Sequence, residues 1–417
     1  MPQADRAAPR AWRLDPEAEP ASVGMDPARL DRLARSFREE VERGALCHGA
    51  QLAVYRAGRR VLDLGAGLAR VRTRVPVAPD TLFVLYSATK GLTALLLAQL
   101  HERSACHLDE PAVRYWPELA RAVPQKASIT LRHILSHRAG MPLGPRWLGP
   151  EQWGDRAAIR RAMEELPLRS APGERQAYHA MNFGHLLNEL ASRIGGRDCA
   201  ALLREEVAAP LGLRDLALGL RDDPAQEARV AWVYHDVVLA PGRAAGLVGA
   251  EAGEGGGAAA ELQPPREPPE RYRGIPEMAR EFNWPETHRA VLPAAGAIGS
   301  ARDLAAVYAV LAQGGAGRGA RLLGSDTLMA VTAPISREGE VDGTLGFPMR
   351  WASGFHLGLH GRGSTLRSFG HAGAGGQVGF ADPDRELAFA FVCNGELDRR
   401  FLAWRYKLQS LAFEAAG

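Results

Sequence analysis

The stretch TLFVLYSATKGLTALLLAQL, residues 81–100, decides how this chain is read. An apolar run from Thr81 to Leu85 ends at Tyr86-Ser87, and an apolar helix is predicted from Ala88 to about Arg103. Ser87 therefore stands where a short strand gives way to a helix. Residues i and i+3 share a helical face, so Ser87 Oγ and Lys90 Nζ can meet. The helix N-terminus adds a positive dipole end and free N–H groups beside the serine. Gly91-Leu92-Thr93-Ala94-Leu95 gives Lys90 an apolar setting, which depresses the pKa of an amine. A serine next to a neutralisable amine is an activated nucleophile. Taken alone, S-x-x-K also fits a helix N-cap serine followed by a surface lysine.

Lysine usage sharpens the reading. Of 51 basic residues only Lys90, Lys126 and Lys407 are lysine. Arginine keeps its proton in proteins, whereas a desolvated lysine can lose it, so a lysine kept against this bias asks what arginine could not do.

Outward from this stretch, residues 1–25 read as a polar lead-in and Asp26 to Gly44 as a helix, with Leu30, Leu33, Phe37 and Val41 on one face. Ala50–Arg56 and Arg60–Leu68 read as a hairpin turned at Gly58. The middle is helical in pattern, clearest at Ala157–Glu165, Asn182–Ile194 and Cys199–Ala208. Residues 241–272 are low-complexity Gly/Ala/Pro/Glu and read as a flexible, exposed excursion without a core of its own, the alternative being a lid or partner segment. Ala301–Gln313 reads as a helix, and Phe347–Leu357, Arg367–His371, Gln377–Ala381 and Leu387–Cys393 read as strands. Phe401–Phe413 closes the chain as a helix. Strands at both ends with helices between them predict an α+β fold whose antiparallel sheet is built from both termini. In this division 26–86 with 295–417 form the sheet domain, and 87–294 form an inserted, mostly helical domain.

Composition excludes several classes. With 46% apolar and 24% charged residues over 417 positions, the chain can build a sizeable core. A net charge of +3 gives no reason to expect nucleic acid or an anionic membrane as partner. Cys47, Cys106, Cys199 and Cys393 form no C-x-x-C pair, so a disulfide scaffold or cysteine-based zinc site is not expected. His133 and His137 have i, i+4 spacing without the Glu of H-E-x-x-H and read as packing or capping residues. Neither a G-x-S-x-G elbow nor a phosphate-binding P-loop occurs. The first residues carry no apolar signal region, and the apolar run Leu92–Leu100 is too short to span a bilayer. A cytoplasmic, soluble protein is expected.

Two further elements carry chemistry. Tyr178, in PGERQAYHAMNFGHLLNELASRIGG, precedes an amphipathic helix; a buried tyrosine between cations can ionise partly and relay a proton, though a packed core tyrosine fits equally. Phe369-Gly370-His371-Ala372-Gly373-Ala374-Gly375-Gly376 ends a strand in glycines, which permit close backbone approach. An N–H there, with that of Ser87, could hold an oxyanion; a plain Gly-rich turn is the simpler alternative.

In this order, the three elements resemble the serine β-lactamase and penicillin-binding-protein superfamily, whose signatures are S-x-x-K, then S-x-N or Y-x-N, then K-T-G. The likeness runs from about Gly49 to Asn394 and points to its class C-like branch, the family VIII carboxylesterases. LRHILSHRAGMP (131–142) and LPAAGAIGSARDLAAVYAVLA (292–312) are similar to stretches of that branch. The resemblance implies a β-lactamase-like fold with Ser87 as nucleophile and Lys90 and Tyr178 as the proton-transfer pair. It further implies an oxyanion hole from the Ser87 and Ala374 amides, and no cofactor or metal.

Two departures bear on substrate. Tyr178-His179-Ala180 has alanine for the asparagine of Y-x-N, and His371-Ala372-Gly373 has histidine for the lysine of K-T-G. Both lost groups help bind a β-lactam, so the resemblance implies ester cleavage rather than efficient β-lactam hydrolysis. Ala180, His371 and Gly373 would border the substrate. Trp147 and Trp153, on a Gly/Pro-rich loop, would rim an acyl pocket or anchor that loop. The expected activity is a serine carboxylesterase acting on a small-molecule ester. Alternatives are an acyltransferase on the same acyl-enzyme, a β-lactamase or D-amino-acid peptidase, and a catalytically idle binding protein.

Overall fold

The computed structural model describes residues 11–44, 46–145, 147–234, 280–358, 360–395 and 399–417. The excursion expected at 241–272 lies outside the described residues. The main sheet is antiparallel throughout, in the order Trp12–Arg13, Arg59–Arg70, Gly49–Arg56, Leu387–Cys393, Val378–Asp382, Phe369–Ala372, His356–Leu357. A short strand, Val75–Pro76, extends it beside Arg59–Arg70. Its centre joins the two ends of the chain: Leu387 to Cys393 pairs with Arg56 to Ala50.

Period-two alternation sends each strand's side chains to opposite faces. Leu52, Val54, Phe389 and Phe391 enter one core, beneath the helices Pro27–Arg43 and Arg399–Ala416. Ala53, Tyr55, Ala388, Ala390 and Val392 face the other core with the helices Thr89–Glu102 and Ala301–Ala312. Both faces being covered, the strands are apolar nearly throughout.

Local chemistry explains the boundaries. Asp26 caps the first helix by accepting from the Ala28 and Arg29 amides at 2.9 and 3.1 Å, Pro27 takes the first turn, and Gly44 ends it in the left-handed region. At the hairpin tip, Ala57 and Gly58 both have positive φ, +47° and +70°, as a tight turn matching the strand twist requires.

The strand predicted at Phe347–Leu357 shrinks to His356–Leu357. The Trp351 carbonyl accepts from the Ile335 and Ser336 amides, and the Trp351 amide donates to Ser336 Oγ at 2.7 Å. A neighbouring loop thus takes the backbone groups a ladder would need. Apolar alternation there reflects packing against aromatic rings instead. Away from the main sheet, Phe83–Val84, Ala297–Gly299 and Ala217–Leu218 form a small antiparallel sheet that delivers the chain to Ser87. Among the described residues no helix is long and apolar enough to cross a membrane.

Candidate active site

The segment 81–100 is buried except at Ser87, which reaches partial exposure between the Phe83–Val84 strand and the Lys90 helix. Tyr86 makes this possible by adopting φ +46°, a conformation bulky residues rarely hold. Its ring is fixed against Phe282, 4.6 Å away between centroids. Such strain persists only where packing over-determines it, and it turns the next side chain outward.

Lys90 is fully buried, and desolvation drives its amine well below the ordinary 10.5. Nζ donates to the carbonyls of Ala180 and Ala294 at 2.8 and 3.0 Å and lies 3.2 Å from Ser87 Oγ. A neutral amine has two N–H bonds and one lone pair. In that uncharged form, with both N–H bonds on the Ala180 and Ala294 carbonyls, the lone pair faces Ser87 Oγ. Ala180 therefore serves through its backbone, which explains how alanine is tolerated there.

Tyr178 comes to the same place, with Lys90 Nζ 4.8 Å from its ring centroid and its hydroxyl near enough to Ser87 to lower its own pKa somewhat. The expectation that this phenol ionises partly is not met. Burial and the nearby Asp342 charge raise its pKa, only partly offset by Ser87, and burial lowers the pKa of the one cation at hand, Lys90. Tyr178 is a protonated phenol at neutral pH and can act as a donor.

His371 and Gly373 reach the site from the strand Phe369–Ala372. A Cβ on Gly373 would stand 2.8 Å from Leu85 O and 3.0 Å from Tyr86 Cβ, so the strand end abuts the turn carrying Ser87. The Gly373 amide is tied to Gln377 O at 2.7 Å, and Ala374, half-buried, follows it. His371 is buried, its Nδ1 donating to Ala372 O at 2.8 Å, and burial beside Lys90 pushes its pKa down to about 3. No charge stands where the third motif's lysine would be.

The two tryptophans separate. Trp153 rests on Phe282 at 5.4 Å and lines a cavity of about 400 Å³ with Ile159, His185 and Val291. Trp147 is 44% exposed on the same loop. Of the paired histidines, His133 caps a helix start by accepting from the Thr130 amide. His137, with φ +60°, packs its ring 4.7 Å from Tyr178 and 4.5 Å from Trp351. Among the described residues no group of three or more His, Cys, Asp or Glu is placed to hold a metal ion.

Sequence reasoning missed two residues. Trp351 is buried and stacks on Tyr178, centroids 5.6 Å apart and planes 14° from parallel. Asp342 is buried and accepts from the Tyr178 amide at 2.9 Å and from Trp351 Nε1 at 3.2 Å. Neither lies in a motif, and only the three-dimensional contact reveals them.

Comparison with known proteins shows the family and the fold. The family model "Beta-lactamase" matches residues 32–412. The chain is 32% identical over 394 residues to esterase/beta-lactamase LipL of Mycobacterium tuberculosis, covering 91% of this chain and 84% of that protein. A crystal structure of a family VIII carboxylesterase superposes with TM-score 0.76 at 25% identity, covering 97% of this chain and 99% of that one. A penicillin-binding-protein homologue from Caulobacter crescentus gives TM-score 0.76 at 28% identity, covering 94% and 99%.

Proposed function

The chain belongs to the Beta-lactamase family, and from that premise we propose that it is a serine carboxylesterase cleaving small to medium acyl esters. The observation that carries this is the fully buried Lys90 amine, 3.2 Å from Ser87 Oγ with two carbonyls on its N–H bonds. In the proposed cycle Ser87 Oγ attacks the ester carbonyl carbon as its proton passes to Lys90 Nζ. The Ser87 and Ala374 amides hold the oxyanion. On collapse the carbonyl–alkoxide bond breaks, Tyr178 protonates the departing alkoxide, and Lys90 returns a proton to Tyr178. Water then repeats the sequence on the acyl-enzyme, releasing acid and free Ser87.

The uncharged His371 and the methyl of Ala180 favour esters over β-lactams. An ester offers a better leaving group and no obligatory carboxylate to bind, so the site needs neither lost group. The test is turnover of p-nitrophenyl butyrate and nitrocefin side by side, by wild type and Ser87→Ala. Ester turnover abolished by the substitution, with nitrocefin slow or silent, is the expected result. Brisk nitrocefin turnover overturns the argument from Ala180 and His371, and ester turnover that survives Ser87→Ala moves the chemistry elsewhere.

A further inference from the structure

Asp342 makes more contacts than a buried carboxylate needs merely to be tolerated. Oδ1 accepts from the amides of Tyr178, Thr344 and Leu345 at 2.9, 2.9 and 3.0 Å, and Oδ2 accepts from the Trp351 indole at 3.2 Å. One side chain thus fixes the backbone of Tyr178 and the indole stacked on its ring. Around it the loop is clamped to the same segment. The Gly343 amide donates to Gln176 O at 2.9 Å, and Gln176 Nε2 donates to Met349 O at 3.1 Å. The ring of His137 packs edge-on against the indole, centroids 4.5 Å apart, and His371 and His356 pack on it at 5.7 and 6.0 Å.

We propose that Asp342 is a positioning residue that touches no substrate and holds the Tyr178 hydroxyl against Ser87, by anchoring both the Tyr178 amide and the Trp351 ring stacked on it. The inference rests on the catalytic reading of Tyr178. Without the carboxylate, the Tyr178 segment and the indole lose their common tie, and the phenol drifts from its line to the serine. Misplacement of a reacting group by about 1 Å costs about a hundredfold in rate. The loss falls on kcat, because the substrate's own contacts are untouched.

The test is a double-mutant cycle on p-nitrophenyl butyrate, with kcat and KM measured for Asp342→Ala and Asp342→Asn, each in wild type and in Tyr178→Phe. Asp342→Ala is expected to lower kcat about a hundredfold with KM changed less than about threefold. Asp342→Asn retains an oxygen for the three amides but turns an NH₂ toward the indole N–H, and is expected to lose about tenfold. It carries the test alone if the alanine variant does not fold. In the Tyr178→Phe background either substitution is expected to cost nothing further in kcat, whereas a merely structural role would cost the same in both backgrounds. Equal losses in both backgrounds, or wild-type kcat in Asp342→Asn, overturn the proposal while the reading of Tyr178 stands. Full activity of Tyr178→Phe alone overturns that reading, and the proposal with it.

Discussion

Gly373→Ala is the most direct probe of the site's assembly. The added Cβ would sit 2.8 Å from Leu85 O, 3.0 Å from Tyr86 Cβ and 3.3 Å from Gln377 Oε1. Carbon needs about 3.3 Å or more from a carbonyl oxygen, so the strand end must retreat by about 0.5 Å. Leu85 cannot yield easily, because its amide is bonded to Ala297 O at 2.8 Å and its carbonyl receives the Ala88 amide at 3.1 Å. The retreat therefore separates the two amides proposed to bind the oxyanion, since Ser87 follows Tyr86 and Ala374 follows Gly373. Losing one such donor outright costs about 10² to 10³ in kcat, about 2.7–4 kcal/mol. A partial displacement is expected to cost about ten- to a hundredfold, with overpacking lowering stability by about 1–3 kcal/mol. Steady-state kinetics on p-nitrophenyl butyrate together with urea unfolding measure both effects. A folded Gly373→Ala with wild-type kcat would refute the claim that this contact sets the oxyanion hole.

Other expectations follow from buried ionisable groups. Lys90→Met should reduce kcat at least about a hundredfold through loss of the general base. Between the depressed folded pKa of Lys90 and the ordinary 10.5, the unfolded chain binds a proton that the folded chain refuses. Wild-type stability should therefore rise with pH through that window, and Lys90→Met should remove the rise; urea midpoints at pH 7 and pH 10 that move in parallel for both proteins contradict it. Burial lowers His137, His179, His356, His360 and His371, to about 4 for His179 and about 3 for His360 and His371. Their neutral burial should leave stability unaffected well above pH 6.5 and erode it as pH falls toward 4, by up to about 1.4 kcal/mol per pH unit for each imidazole. A urea midpoint flat from pH 7 to 4.5 would sink this account. Lys126→Met should destabilise the fold by about 1–3 kcal/mol while leaving kcat unchanged, because Lys126 Nζ satisfies the Met163 and Glu164 carbonyls at 2.6 and 2.7 Å; a large drop in kcat with unchanged stability would reverse its assignment.

Lys126 also shows what the sequence could and could not reveal. Rarity of lysine pointed to an unusual cation in two cases of three, since Lys90 and Lys126 are both fully buried while Lys407 is exposed. It did not separate an amine beside a serine from one capping a helix; the three-residue spacing to Ser87 did. Local signals served equally well at Asp26 and Gly44, where cap chemistry marks both helix ends, and along Leu387–Cys393, whose apolar run marks a buried strand. Asp342 was illegible for a physical reason. Its bond to Tyr178 spans 164 residues and comes from a loop without period, so no local pattern records it. Trp351 misled outright, because burial against rings imitates the alternation of a strand.

The central pairing of the sheet has a consequence for how the molecule is made. Gly49 and Asn394 meet through a 2.8 Å hydrogen bond across 345 residues, and the Asp26 amide reaches Ala415 O at 2.8 Å. Contacts so distant along the chain are slow to form, because the entropy of loop closure comes before any reward from pairing. During synthesis the Ser87–Lys90 helix emerges early, yet the Gly373 strand end that abuts the Ser87 turn arrives far later. A nascent chain must therefore wait with the edge of Gly49–Arg56 unpaired, a template for mispairing with other chains. Ribosome-bound and carboxy-terminally truncated forms are thus the species that most need a chaperone.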